Sequence, residues 1–281
     1  MRKSLKSALT RTVDSLSKAG GVNLRNLMHK RLGILQYKSS RESGELIFIS
    51  KILPKILSPT KNPILFDVGL NEGNYSNSLL EVFPEARLFA FEPVATNFER
   101  ARERLPNGRA LTLENKAISD APGHIDIYDY ADRDGSSHAS PYKAAITEQH
   151  GAEEVASHHV ECVTLDQYCA DKNIDKIDFI KIDTEGHELS VLKGGKRLIS
   201  EGRIEVVQFE FNEMNVLSRS FLRDFYFVLE GYSFFRLRED GLIPLGAYNS
   251  INEIFKFQNI VAISPNLKAA ASPFEIENAW R

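Results

Sequence analysis

Apolar positions in the first 57 residues recur at helical spacing. Leu5, Leu9, Val13 and Leu16 fall on one face, and Gly20-Gly21 ends that run. A second helix is predicted from Asn23 to about Leu35. A third, from Glu42 to Leu57, places Leu46, Ile49, Leu53 and Ile56 on one stripe, with a kink expected at Pro54. Pro59 and Pro63 bracket a short linker. From Ile64 the pattern changes to short apolar runs alternating with helices. The predicted strands are Ile64–Val68, Arg87–Glu92, Ala110–Asn115, Ile177–Asp183, Glu205–Phe211, Tyr232–Leu237 and Asn259–Ser264. Helices are predicted at Gly73–Val82, Asn97–Leu105, Leu165–Lys172, Glu188–Ile199 (through Gly194-Gly195) and Phe221–Leu229. Between Ile118 and Thr164 the rhythm breaks. His124–Tyr128 and His159–Val163 read as strands flanking a polar loop, Asp132 to Gln149.

This pattern predicts an α/β fold with a doubly wound, seven-stranded and mostly parallel sheet. No helix separates the last two strands, so the final one is expected to be antiparallel. The expected organisation is a helical extension over 1–60, then an α/β domain over 61–281 with a hairpin or lid inserted at about 121–163.

Composition narrows the reading. The chain has 281 residues, of which 42% are hydrophobic and 26% charged, which excludes a wholly disordered chain. No apolar run approaches the roughly 18 residues of a membrane-spanning helix, and Met1-Arg2-Lys3-Ser4-Leu5 lacks a secretory signal's apolar stretch. Cys162 and Cys169 are expected to be buried free thiols of a cytoplasmic protein. The net charge of −3 conceals an asymmetry: residues 1–41 carry +9 and the rest −12. The basic arm, with Lys3, Lys6 and Arg11 opposite the leucine stripe, fits either an anionic inner membrane surface or docking onto the acidic body.

The candidate chemistry begins at the first strand's exit, Asp67-Val68-Gly69-Leu70-Asn71-Glu72-Gly73. In doubly wound folds that exit opens onto the ligand crevice. The spacing is Gly-x-x-x-Gly, without the middle glycine that lets a dinucleotide binder approach a pyrophosphate. Glu72 would repel a phosphate, whereas a cationic adenosine cofactor such as S-adenosylmethionine suits an acidic turn. Glu92, ending the second strand, is placed to accept both hydroxyls of an adenosine ribose. Lys181, inside a buried strand, needs an acidic partner, and Asp183 or Glu210 can supply it. Asp183 also reads as a helix N-cap, and Glu185 and Glu188 as first-turn acids. His187 and His138 are both candidate general bases. Asp183, Glu185 and Glu210 are also of the type that holds a hard cation. His158-His159-x-x-Cys162 does not read as a zinc site, because strand alternation turns the two histidines to opposite faces.

Taken in order, Phe66-Asp67-Val68-Gly69-x-Asn71-x-Gly73-x-Tyr75-Ser76, Phe91-Glu92-Pro93, Asn115-x-Ala117-Ile118-Ser119-Asp120, Thr164-Leu165-Asp166 and Ile180-Lys181-Ile182-Asp183-Thr184-Glu185-Gly186-x-Glu188 resemble the FkbM family of S-adenosylmethionine-dependent methyltransferases. The resemblance runs from about Ile64 to Ser264. It departs at Leu70, where the family usually has a small residue, and it leaves out the first 60 residues. It implies a cofactor side formed by Asp67, Gly69, Asn71, Gly73, Tyr75, Glu92, Pro93 and Ala117, with Ala117 near the adenine. It implies a catalytic end drawn from Lys181, Asp183, Glu185, His187 and Glu210. The implied reaction is in-line attack by a hydroxyl oxygen on the sulfonium methyl. The implied acceptor is a sugar in a glycan, glycolipid or natural product, with no nucleic acid partner. A nicotinamide-dependent oxidoreductase and a non-catalytic binding module of the same fold are the alternatives.

Overall fold

In the computed structural model, residues 15, 17, 20, 21, 23–34 and 38–276 are described, apart from 107, 109, 133, 134, 137 and 150. The predicted Leu5–Leu16 stripe and the cations opposite it lie outside the described residues.

The strands are β1 (Ile64–Val68), β2 (Arg87–Phe91), β3 (Leu111–Glu114), β4 (Ala117–Ile118), β5 (Gly123–Tyr130), β6 (Val155–Val163), β7 (Ile177–Ile182), β8 (Ile204–Phe211), β9 (Ser233–Arg238), β10 (Gly241–Pro244) and β11 (Gln258–Ile263). Eight of them form one sheet in the order β10-β9-β11-β8-β7-β1-β2-β3. The pairings from β8 through β3 are parallel, and β11 runs antiparallel to both β8 and β9. The sheet therefore has eight strands rather than seven. The additional one, β10, is four residues long, ends in a proline and sits at the edge, where a strand leaves little sequence signal. The hairpin of β5 and β6 joins β4 in a separate three-stranded sheet.

The central strands are buried on both faces because each face is covered by helices. Phe66, Ile180, Ile182 and Phe209 pack into one core layer, and Leu65, Phe179 and Val206 into the other. The second layer is closed by the N-terminal segment. There the chain is helical over Glu45–Ile47, π-helical over Phe48–Ile52 and α-helical again over Leu53–Ile56. Pro54 lacks an N–H and its ring crowds the preceding turn, which accounts for the widened turn before it. The widening shifts the buried stripe. Phe48, Ile49, Ile52, Leu53 and Ile56 are buried, and Leu46 is turned out to 49% exposure.

Upstream, Asn23 caps a helix over Leu24–Arg31, shorter than predicted. Its last carbonyls are held from the sheet: Arg238 donates to the Arg31 carbonyl at 2.9 Å and Arg236 to that of Leu32 at 3.2 Å. The extension is thus a strap fastened to the sheet at β9 and packed against its core. Two further helices differ from expectation. The predicted Glu188–Ile199 helix is two, Glu188–Lys193 and Lys196–Ser200, parted at Gly194-Gly195, where the lack of a side chain at Gly194 admits the Ser119 carbonyl. Asp183 caps neither, since a loop separates it from the helix at Glu188.

The sheet reverses its winding between β1 and β7, and their exits touch there. Gly69 has φ of +92°, and a Cβ on it would collide with the Asp183 carbonyl. Gly69→Ala is therefore expected to destabilise the protein by roughly 2–4 kcal/mol, through backbone strain and collision together. Gly108→Ala, with open space around it, should stay within about 0.5 kcal/mol of wild type. Urea midpoints of the two variants provide the comparison.

Candidate active site

Three adjacent strands place a polar row across an otherwise apolar layer. Asp67 of β1 stands in register with Lys181 of β7, and Lys181 with Gln208 of β8. Side chains two residues apart share a face, so this row continues the layer of Leu65, Phe179 and Val206 toward the strand exits. Lys181 is 2% exposed. Its ammonium lies 2.8 Å from Asp183 Oδ2, 3.8 Å from Glu45 Oε1 and 5.2 Å from the centre of the Tyr75 ring. Burial alone would depress its pKa, but Asp183, Glu45 and Glu210 overcome that and hold it above the ordinary lysine value. Asp183 is thus the near partner, as one of the two sequence alternatives had it, and Glu45 of the strap is the second.

The surrounding groups are tied to this centre. Tyr75 stacks on Phe179 and donates its hydroxyl to Gln208 Oε1 at 2.6 Å. Gln208 donates in turn to Glu45 at 3.3 Å and to Asn259 at 3.1 Å. Ser76 donates to Asp67 at 2.6 Å, yet burial still raises the Asp67 carboxyl to about 6. Burial also raises Glu210, helped by the Asp183 charge, and raises Glu45 against the pull of Lys181.

The turn after β1 is built from backbone. The Phe91 carbonyl accepts from the N–H groups of Gly69 and Leu70 at 3.0 and 2.9 Å. Glu92 accepts from the N–H of Asn71 at 2.7 Å and of Val94 at 2.9 Å. Leu70 packs with Ala90, Ala101 and Leu105, so the residue that departs from the family pattern anchors the turn in the core. Gly73 has φ of +84°, and a Cβ there would lie 2.9 Å from the Leu105 side chain. It shapes the turn and lines neither cavity. Glu72 is held by Arg104 at 2.5 Å, which neutralises the carboxylate expected to repel phosphate.

The loop after β7 is equally constrained. Glu185 has φ of +49°, a region that non-glycine residues seldom occupy, and Gly186 follows at +101°. Glu188 Oε1 closes the loop by accepting from the N–H groups of Thr184 and Gly186, both at 3.0 Å. Ser140, on the inserted segment, donates to the Glu185 carbonyl at 2.8 Å. His138 Nδ1 lies 3.7 Å from Glu185 Oε1. The segment carrying His138 is organised by the buried Asp129, which accepts from the N–H groups of Gly135 and Ser136 at 2.9 and 2.8 Å. His187 faces elsewhere. Its Nε2 is 2.9 Å from Ser119 Oγ, burial depresses its pKa to about 4, and its Nδ1 is buried without a hydrogen-bond partner among the described residues.

Two cavities meet here. The larger, about 960 Å³, is lined by Asp67, Tyr75, Lys181, Asp183, Glu185 and Glu210, together with Glu45 and His138. The smaller, about 70 Å³, is lined by Glu92, Pro93, Ala117 and His187. Gly69, Asn71, Asp183 and Glu185 line both and mark the junction. Of the residues expected at the site, Glu92, Pro93, Ala117 and His187 thus fall on the small cavity, and Asp67, Tyr75, Lys181 and Glu210 on the large one. Among the described residues, no group of three His, Cys, Asp or Glu side chains converges as a metal ion would require. His159 stacks on His124 and pairs with Asp126, and both cysteines are free and buried. No helix among the described residues is long and apolar enough to cross a membrane.

Sequence reasoning did not single out Glu45, Gln208 or Asp129. Glu45 carried a signal nonetheless: it sits one turn before Ile49, an acid on a stripe that is otherwise buried.

Glu92 and His187, whose buried Nδ1 has no hydrogen-bond partner among the described residues, are polar groups that line the small cavity and that an adenosine cofactor could engage. A sequence model described as the methyltransferase FkbM domain matches residues 67–233. The 2-O-methyltransferase NoeI of Sinorhizobium fredii is 29% identical over 54% of this chain and 65% of its own length. The hexuronic acid methyltransferase AglP of Haloferax volcanii is 24% identical over 53% of this chain and 56% of its own. The chain thus spans less than two thirds of either relative. A precorrin-6y C5,15-methyltransferase from Geobacter metallireducens aligns over 81% of this chain and 93% of its own, with a TM-score of 0.40 and 12% identity.

The raised carboxyl of Glu92 yields a test of this geometry. In the folded chain burial lifts it to about 7, against an ordinary value of 4.5. A raised carboxyl stabilises the fold below its unfolded pKa and loses that contribution as pH climbs through the folded one. Glu92 should therefore withdraw on the order of 2–3 kcal/mol of stability between pH 4.5 and 7. Glu92→Gln should be less stable at acid pH, because one backbone N–H loses its acceptor. Its stability profile should also be flatter across this window, in urea titrations from pH 4 to 8.

Proposed function

The chain belongs to the methyltransferase FkbM domain family, and from that premise we propose that it is an O-methyltransferase that uses S-adenosylmethionine to methylate a sugar hydroxyl. The observation that carries this reading is the junction of the two cavities at Gly69, Asn71, Asp183 and Glu185. A nucleoside in the small cavity would present its reactive end to an acceptor in the large one. The names of the 2-O-methyltransferase and the hexuronic acid methyltransferase support oxygen as the acceptor atom and a sugar as its carrier.

When bound, S-adenosylmethionine supplies an electrophilic methyl group on a cationic sulfur. Glu92 would accept the ribose hydroxyls, and Ala117 and His187 would line the space for the base. The carboxylates around the junction favour a sulfonium by simple Coulomb attraction. The acidic wall of Asp183 and Glu210 accepts hydrogen bonds from sugar hydroxyls and orients the one that reacts. The hydroxyl proton passes to His138, whose Nδ1 lies 3.7 Å from Glu185 Oε1, a carboxylate near enough to favour the imidazolium that forms. Nicotinamide chemistry is set aside by the family membership, and a silent binding module predicts no turnover at all.

His138→Ala is expected to lower kcat by roughly 10²-fold or more, with cofactor affinity retained and partial rescue by added imidazole. Asp183→Asn is expected to lower turnover and also stability, because Lys181 loses its near partner and a buried ammonium tolerates that poorly. Single-turnover transfer of labelled methyl, beside a thermal midpoint, separates the two effects. Wild-type kcat in His138→Ala would move the proton acceptor to Glu210 or Asp183.

A further inference from the structure

Most polar side chains around the small cavity are already engaged within the protein. Asn97 donates to the Ser136 carbonyl and accepts from Arg100, both at 3.3 Å. Ser136 donates to Asp129, and Thr184 to Glu188 Oε1 at 3.2 Å. Each oxygen of Glu92 takes a backbone N–H. Among the described residues that line this cavity, His187 Nδ1 is the one buried side-chain polar atom without a hydrogen-bond partner. Buried polar atoms are seldom left in that state, and one facing a ligand cavity points to a partner from outside the chain.

The other ring nitrogen decides what that partner must be. His187 Nε2 lies 2.9 Å from Ser119 Oγ, and the buried Ser119 hydroxyl lies 3.2 Å from Asp120 Oδ1. A carboxylate can only accept, and a hydroxyl has a single proton. The Ser119 proton therefore goes to Asp120, and Ser119 Oγ accepts from the imidazole. That places the ring proton on Nε2 and leaves Nδ1 as a bare acceptor. Burial depresses the pKa of His187 to about 4, against the pull of Asp120, so the ring is neutral at neutral pH and Nδ1 keeps its lone pair.

We infer that His187 is the residue that selects the nucleobase, with Nδ1 accepting a hydrogen bond from the exocyclic amine of a 6-aminopurine. The inference rests on the reading of the small cavity as the nucleoside site. A 6-aminopurine offers a donor at that edge. A 6-oxopurine offers a carbonyl oxygen, so two lone pairs would meet with no proton between them, both removed from water. A site built around one hydrogen bond rejects the analogue that lacks it more strongly than shape alone can. Ser119 and Asp120 act as positioning residues, because they fix the tautomer through the far side of the ring. Both follow directly on β4, whose Ala117 lines the same cavity.

The test uses the full chain and measures two probes by calorimetry, S-adenosylhomocysteine and its deaminated analogue S-inosylhomocysteine. Wild type is expected to bind the amino form about 10-fold or more tightly. In His187→Phe, which keeps a ring but no acceptor, the two affinities should converge to within roughly 3-fold. Ser119→Ala should also shrink the preference, since the imidazole stays but its tautomer is no longer fixed. A second measurement needs neither ligand nor variant: imidazole nitrogen-15 shifts of the free wild-type protein should show His187 neutral with its proton on Nε2. Equal affinities in wild type, a preference that survives His187→Phe, or a proton found on Nδ1 each overturn the inference. If His187→Phe does not fold, the wild-type affinities and the nitrogen-15 shifts still decide it. Failure of wild type to bind either probe would instead overturn the methyltransferase reading itself, so the two failures are distinguishable.

Discussion

The structure turns on a lysine ammonium placed inside a sheet. Lys181 lies in the central strand, with helices covering both faces, and an unpaired charge there would cost several kcal/mol. Its neutralisation dictates the neighbourhood. Asp183 must turn back toward the strand it has just left, so it cannot cap the following helix. Tyr75 must present its ring, which fixes the start of the helix after β1. The strap must bring Glu45 to the sheet, which ties the N-terminal segment to the site although it lies outside the matched family domain. Three segments distant in sequence, the end of β7, the helix after β1 and the strap, converge on one charge.

A second constraint follows from that convergence. Because β1 and β7 exit side by side, the two loops leaving them share a narrow space, and the backbone adopts left-handed conformations on both sides. Gly69, Asn71 and Gly73 do so on one loop, Glu185 and Gly186 on the other. Asn71 and Glu185 are the costly members, since both carry side chains, and both line the junction of the cavities. Each is held by hydrogen bonds from outside its own loop, Asn71 through Glu92 and Glu185 through Ser140. Strain retained at this point and fastened from two directions makes the junction of the two cavities rigid.

Much of this was legible in the sequence. All seven predicted strands lie in the large sheet, the last one antiparallel, because buried strands write their pattern in uninterrupted apolar runs. The turn after β1 was readable because a tight turn requires glycines at set positions. Other features escaped for identifiable reasons. The π-turn before Pro54 displaced the apolar stripe by one residue, hiding Glu45 and exposing Leu46. Edge strand β10 was too short to show periodicity. His187 and His138 looked equivalent as polar residues in loops, and only burial separates them: His187 is enclosed against Ser119, while His138 opens onto the large cavity.

That separation assigns a purpose to the inserted sheet. The segment between β5 and β6 supplies Ser136 and Ala139 to the small cavity, His138 to the large one and Ser140 to the strained loop. These four positions fall within five residues, so one short stretch lines both cavities and supports the junction. Asp129 holds the stretch by accepting backbone N–H groups, and Arg100 ties it to the helix after β2 by donating to the Gly135 carbonyl at 3.0 Å.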